Sequence, residues 1–318
     1  MPSSDAPVCS IVIPTRDCLA YLPTAFASID LQRLGGLEVI VADDGSRDGT
    51  VDWLQAAPRV HASLVILETG GNGPARARNA AIAAARSELV AFLDADDYWW
   101  PDKLARQLAF HRMNRDVGFS FTDYIHVTPD GRTHGTCFEF WGGVWGETSG
   151  AFSILADAEA RLLAANVVGT SCVVARKSCL EAAGGFETAC KSAEDWDLWL
   201  RMAARNTVAS STMMGMTYLM RPNSETAARQ RRMDAMNEIV ARYDADPRPA
   251  IAAARKLARA RLTTAEAESL SAQGRPLAAA MRHFSAMRAA PSRRGAKAAL
   301  AGIVQAARTA RRSGISTA

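Results

Sequence analysis

The first hundred residues alternate short, β-branched apolar runs with longer stretches of helical periodicity. No other feature of the sequence restricts the fold as much. Val8–Ile13 reads as a buried strand, Leu19–Leu31 as a helix, Leu37–Ala42 as a strand and Asp48–Ala56 as a helix. Leu64–Leu67, Gly73–Arg86 and Leu89–Leu93 continue the series as strand, helix and strand. Such a succession implies right-handed crossovers and a mostly parallel sheet with helices on both faces, an α/β fold of Rossmann-like type. In open sheets of this kind ligands sit beyond the carboxyl ends of the strands. The polar clusters Pro14-Thr15-Arg16-Asp17, Asp43-Asp44-Gly45-Ser46 and Asp94-Ala95-Asp96-Asp97 fall there, on one rim.

Beyond Pro101 the alternation breaks. A helix over Asp102–Asn114 and a strand over Val117–Ile125 precede residues 129–150, where Pro129-Asp130-Gly131, Gly142-Gly143 and two tryptophans predict a hairpin or loop. Asn166–Ala175 reads as a strand, Glu194–Arg205 as a helix and Thr207–Met220 as one or two strands. From about Ser224 the chain is rich in Ala and Arg and helical by propensity, and its Pro and Gly residues divide it into three or four helices.

A length of 318 residues suits about two domains. The net charge of +4 conceals a division: residues 1–228 hold 19 Lys and Arg against 27 Asp and Glu, whereas residues 229–318 hold 18 against 6. An anionic partner is therefore drawn mainly to the tail. The six cysteines form no CxxC pair and read as reduced, structural thiols, which fits a cytoplasmic location. No run approaches the ~18 apolar residues of a spanning helix, and the N-terminus lacks a basic region and an apolar run of signal-peptide length.

Asp94-Ala95-Asp96-Asp97 closes an apolar strand. Carboxylates gathered there repel one another and resist desolvation, so they need a cation, backbone donors or both. A hard ion such as Mg²⁺ or Mn²⁺ suits them and leaves positions for phosphate oxygens, although a lone DxD is also explained by a capped turn. Asp-Gly turns and an Asp48 cap account equally well for residues 43–50. The helix start at Gly73, with Arg76 and Arg78, offers free N–H groups and two guanidinium groups to a diphosphate. Glu194-Asp195-Trp196-Asp197 places three acids at a helix start beside indole rings, where a carboxylate can act as a base toward a sugar hydroxyl.

Taken in order, Val-Ile-Pro-Thr, Asp-Asp-Gly-Ser-x-Asp-Gly-Thr, Ala-Arg-Asn, Phe-Leu-Asp-Ala-Asp-Asp, Gly-Gly-Phe-Glu and Glu-Asp-Trp-Asp-Leu-Trp-Leu-Arg resemble the family 2 glycosyltransferases over about residues 8–225. The resemblance implies a GT-A fold, an inverting transfer from a nucleotide sugar, and a divalent metal, Mn²⁺ or Mg²⁺. It implies a transferase domain over 1–228, with a nucleotide-sugar half at about 8–100 and an acceptor half at about 101–228, followed by a helical tail over 229–318. Carried over by residue, Pro14, Thr15 and Asp17 would line the base and ribose pocket. Asp44 would accept from the base, most often uracil, and Arg78 and Arg76 would lie beside the diphosphate. Asp94 would approach the ribose, Asp96 would hold the metal, and Asp195, supported by Glu194, would be the catalytic base. Relatives often carry an Arg-x-His stretch after the last strand; here Asn223 stands where that histidine would be. The Gln-x-x-Arg-Trp signature of processive relatives is missing, which favours a single addition per encounter in glycan or cell-surface polysaccharide synthesis.

Trp141, Trp145 and Trp196 are candidates for the acceptor side, the first two on a mobile flap. The expected partners are a UDP-sugar and a carbohydrate or lipid-linked acceptor. The basic tail either packs as a helical appendage or docks on anionic lipid at the inner face of the cell membrane. Poor aromatic interleaving argues against nucleic acid. The rival functions are a non-catalytic nucleotide-sugar or carbohydrate-binding protein on the same fold, and a sugar nucleotidyltransferase. The latter would want a Gly-rich basic loop that Pro14–Leu22 lacks.

Overall fold

In a computed structural model the first apolar run is strand β1 (Cys9–Thr15), with six of its seven residues buried. The structure describes residues 6–56, 62–221, 229–291, 296–304 and 307. The regular alternation then follows: α1 (Leu22–Asp30), β2 (Leu37–Asp43), α2 (Thr50–Ala56), β3 (Ala62–Glu68), α3 (Pro74–Ala84) and β4 (Leu89–Phe92). These four strands are all parallel and lie in the order β3-β2-β1-β4. The chain thus works outward from β1 on one side and resumes on the other. The ends of β1 and β4 form the crevice where strand order reverses, and such crevices are where open α/β sheets bind ligands.

The second half of the sheet is mixed. It comprises β5 (Tyr98–Trp99), β6 (Val117–Val127), β9 (Val174–Arg176) and β10 (Thr207–Leu219), with short strands β7 (Thr133–Thr136) and β8 (Ser153–Ile154) pairing to β6 and β10. Strand β9 runs antiparallel between β4 and β6, while β6 and β10 are parallel. Gly215 lets β10 pass close to β6, since a Cβ there would stand 1.9 Å from Thr122 Oγ1. Helices α4 (Lys103–Met113), α5 (Cys137–Trp141), α7 (Lys177–Ala182) and α8 (Glu194–Ala203) complete this part. Trp199 of α8 packs against Phe92, Phe119 and Phe186, with ring centroids 5.5–5.9 Å apart, which makes an aromatic centre to the core.

Two segments depart from the sequence expectation. The strand expected over Asn166–Ala175 is a 3₁₀ turn, Thr170–Cys172, followed by the short β9. The hydroxyls of Thr170 and Ser171 are drawn into side-chain hydrogen bonds, and Gly169 lies against Tyr124 and Met216 where a Cβ would clash. Within 129–150 a helical turn, α5, appears among the loops, capped reciprocally by Thr136 and Glu139. The Thr-x-x-Glu spacing is a capping-box signature visible in the sequence.

The described residues divide into two compact units: those within Met1–Ala158, Asn166–Cys190 and Glu194–Ala227 form the first, and those within Glu159–Ala165, Lys191–Ala193 and Ala228–Ala318 the second. The second contains most of α6 (Ala158–Ala164), then α9 (Arg229–Ala241), α10 (Pro249–Ala272), α11 (Pro276–Ala289) and a further helix over 296–304. Arg248 bonds Glu159 at 2.7 Å and Arg261 bonds the Ala164 carbonyl, so the basic helices hold α6.

In the first unit Lys103 is fully buried on the inner face of α4, its ammonium 4.1 Å from the Trp99 ring centroid and without a hydrogen-bond partner. Burial pulls its pKa down to about 7. Between that value and the usual lysine range the unfolded chain carries a proton that the native state does not, so stability rises with pH at about 1.4 kcal/mol per unit from this group. We predict that Lys103→Met flattens the rise in urea-unfolding free energy between pH 7 and the onset of thiol ionisation, and raises the Tm near pH 7.

Candidate active site

At the ends of β1 and β2, Thr15 and Asp43 face each other in register. Both are buried, and each has a polar atom without a hydrogen-bond partner, Thr15 Oγ1 and Asp43 Oδ1. The other Asp43 oxygen accepts from the Gly45 and Ser46 amides, which fixes the turn. Asp44, expected to accept from a base, is buried beside them. Its carboxylate takes the amides of Asn72 and Gly73 at 2.8 Å and the Thr69 hydroxyl at 3.0 Å, which ties the β2 turn to the loop before α3. Asp17, exposed and at φ 49°, accepts from the Arg47 amide, and its own amide donates to Ser46 Oγ. These bonds make the first two strand-end loops one assembly. Pro14, on β1, is part-exposed beside them.

The end of β4 gathers the remaining acids. Arg78, a buried residue of α3, reaches Asp94 Oδ1 at 2.7 Å with one nitrogen and Glu194 Oε1 at 2.9 Å with another. Burial works against its charge, yet Asp94 and Glu194 more than offset that and hold its pKa above the usual value. Arg76, by contrast, is exposed. Asp195 is half-buried; Oδ1 accepts from the Trp196 amide at 2.7 Å and Oδ2 from the Thr170 hydroxyl at 3.2 Å. Ser171 accepts from the Asp94 amide at 2.9 Å and donates to Asp97 Oδ2 at 2.6 Å, while its carbonyl takes the Trp99 indole N–H at 2.7 Å. One 3₁₀ turn thus touches both the β4 acid loop and the start of α8.

Asp96, the expected metal ligand, receives Arg221 Nε at 2.7 Å, and that guanidinium also lies over the Tyr21 ring. Burial raises the pKa of Asp96, Asp94 raises it further and Arg221 opposes them. Burial, Asp96 and Asp94 push Asp97 well above the carboxylate range. Burial likewise raises Glu194, against the pull of Arg78 and with the push of Asp195. Acids this crowded call for positive charge, which Arg78 and Arg221 supply. Among the described residues no group of three or more His, Cys, Asp or Glu could enclose an ion. The donor set at the β4 end suits a hard divalent ion that takes few protein carboxylates and fills its other positions with phosphate oxygens and water. Asn223, the departure from the Arg-x-His pattern, lies outside the described residues.

Two of the three tryptophans expected on the acceptor side are buried. Trp145 and Trp196 are 5% and 2% exposed, so neither presents a ring face to a ligand, and Trp145 donates its indole N–H to the Gly142 carbonyl. Trp141, at the end of α5, is part-exposed. The sequence reading missed the contributions of Asp43, Thr170, Ser171 and Arg221. The Gly-Thr-Ser stretch inside an expected strand is the signal that could have revealed the turn residues, because small hydroxyl residues favour turns over strands.

The model for glycosyl transferase family 2 matches residues 10–178, more than half of the chain. The chain belongs to glycosyl transferase family 2. This family 2 glycosyltransferase is 38% identical over 126 residues to TuaG of Bacillus subtilis, a glycosyltransferase named for teichuronic acid biosynthesis; the match covers 39% of this chain and 50% of TuaG. It is 32% identical over 117 residues to the Escherichia coli enzyme WfaP, named as a UDP-Glc:alpha-D-GlcNAc-diphosphoundecaprenol beta-1,3-glucosyltransferase, covering 36% of this chain and 45% of WfaP. The matches thus span half or less of those relatives. Among solved structures, S. aureus TarS residues 1–349 with UDP-GlcNAc shares the fold at a TM-score of 0.62 and 19% identity, over 89% of this chain and 81% of that one. The mannosyltransferase PcManGT of Pyrobaculum calidifontis, solved with GDP-Man and Mn²⁺, does so at 0.64 and 22%, over 96% and 81%. The GT-A expectation from the sequence therefore holds.

Replacing Arg78 with Met leaves Asp94 and Glu194 without their shared counter-charge. We predict a loss of about 3 kcal/mol in urea unfolding at pH 7. The loss should shrink as the pH falls and the stranded carboxylates take up protons, and Arg78→Lys should restore part of it.

Proposed function

We propose that this glycosyltransferase moves a sugar from a UDP-linked donor to the hydroxyl of a carbohydrate or lipid-linked acceptor, with inversion and one residue per encounter, in glycan or cell-surface polysaccharide synthesis. The observation that carries this reading is the unequal treatment of the acids at the start of α8. Arg78 bonds Glu194 directly, whereas the hydrogen bonds of Asp195 come from neutral donors, the Thr170 hydroxyl and the Trp196 amide. Asp195 is thus the carboxylate suited to take a proton.

In the reaction the acceptor hydroxyl gives its proton to Asp195 as its oxygen forms a bond to the anomeric carbon. The bond from that carbon to the diphosphate oxygen breaks on the opposite face, and the nucleoside diphosphate leaves with the electron pair. Glu194 and Arg78 position Asp195 and the Asp94 loop. Thr15 Oγ1 and Asp43 Oδ1, both buried and unpartnered, are suited to the polar edge of the nucleoside, beside Pro14 and Asp17. In this reading Asp44 shapes the pocket through the loop before α3, in place of the direct base contact first expected. A divalent ion, Mn²⁺ or Mg²⁺, held by Asp96 would neutralise charge on the departing diphosphate.

The names of the relatives support the substrate class: WfaP uses a UDP-sugar and a lipid-diphosphate acceptor, TarS was solved with UDP-GlcNAc, and PcManGT with Mn²⁺. The proposed division of labour assigns donor and acceptor to residues 1–228, and a peripheral role at the cytoplasmic face of the membrane to the tail.

Asp195→Asn should bind UDP as the parent does and lose transfer by about 10²–10⁴-fold, the contribution of a positioned base, measured as nucleoside diphosphate release. Unchanged turnover would overturn the assignment of the base. Asp96→Asn should instead abolish the metal-dependent part of UDP binding, read by calorimetry with and without Mn²⁺.

A further inference from the structure

Helix α11 is inverted relative to an ordinary helix of a water-soluble protein. Its inner face, against α10, is built of Ala279, Ala280, His283 and Ala286, all buried. Its large apolar residues point outward: Leu277, Met281 and Phe284 are 59%, 68% and 48% exposed. Their spacing of four and three residues makes one stripe along the helix. The next helix packs on α11 where Gly302 meets Pro276 and Ala280, and it too carries its large residues outward, with Leu300, Ile303 and Val304 at 40–63% exposure. Burying apolar area drives helix docking, and here the residues with most area to bury are left in water.

The charge of this region is as one-sided as its hydropathy. After Glu268 the sequence contains nine Lys and Arg and no Asp or Glu. Arg275 and Arg288 flank the stripe at either end of α11, both exposed. Arg282, between them, pairs with Glu266 of α10 at 3.1 Å, which leaves Arg275 and Arg288 as the basic groups at the two ends of the stripe. A surface that combines outward Leu, Met and Phe with flanking Arg matches an anionic bilayer: the apolar side chains enter the headgroup–acyl boundary and the guanidinium groups pair with lipid phosphates. Among the described residues no helix is long and apolar enough to cross a membrane, so the surface would lie on the bilayer.

We propose that the outward face of α11, with the helix that follows it, is a docking surface for anionic lipid membranes. The stripe supplies depth and the acid-free basic segment supplies charge selection. This inference deepens the peripheral role proposed for the tail and is separate from the assignment of the transfer chemistry, which concerns a different unit of the chain.

The test is flotation of the full chain with vesicles of equal parts phosphatidylglycerol and phosphatidylcholine, against pure phosphatidylcholine, at low and high salt. Binding is expected to the anionic vesicles only and to weaken with salt. Leu277→Glu, Met281→Glu and Phe284→Glu together should reduce it at least about tenfold, as should Arg275→Gln with Arg288→Gln. Both variants change exposed side chains and should keep the parent's circular dichroism and UDP binding. Three results would overturn the proposal: equal binding by the triple-Glu variant, vesicle-independent dimers that the triple-Glu variant breaks, or retention of duplex DNA with no vesicle binding. Failure of Asp195→Asn to lose transfer would leave the vesicle result unaffected.

Discussion

The first unit is organised around a like-charge problem. Asp94, Asp96, Asp97, Glu194 and Asp195 converge at the end of one strand and the start of one helix, with burial raising the proton affinity of Asp96, Asp97 and Glu194. The arrangement holds because Arg78 bridges two of the acids from a third element. A guanidinium does this better than an ammonium, since its fork reaches two carboxylates with defined geometry and it stays charged when buried. The parallel sheet brings α3, β4 and α8 close enough for the bridge, and the bridge leaves Asp195 apart from the ion pairs.

The turn at Thr170–Cys172 has a complementary role. Its two hydroxyls are hydrogen-bonded to acids on different elements, Asp97 after β4 and Asp195 on α8. It interrupts what would have been a longer strand, so β9 is short and antiparallel between β4 and β6. Regular sheet is surrendered at the point where side chains must be aimed. The Arg221–Asp96 pair follows the same logic from the end of β10: in a site rich in anions, positive groups from distant segments fold back onto it.

The alternating first half was legible because buried parallel strands are near-continuous apolar runs with polar ends, a pattern that survives without knowledge of contacts. The acid clusters and the start of α8 were legible for a related reason: charges at the end of an apolar run have few structural uses. The surroundings of Asp44 and the burial of Trp145 were not. Whether Asp44 meets a ligand or a loop depends on residues 69–73, some 25–29 positions away. Tryptophan among glycines reads as mobile, yet Trp145 packs on Phe138 and is buried.

The α/β architecture, the family and the set of acids at the strand ends follow from periodicity and from residue types placed at the ends of apolar runs, so they are present in the order of residues alone. Folding sets which acids Arg78 neutralises, which are hydrogen-bonded by Thr170 or Ser171, and which apolar residues of α11 face outward. Those outcomes depend on distances between segments far apart in the chain, and local spacing carries no information about them.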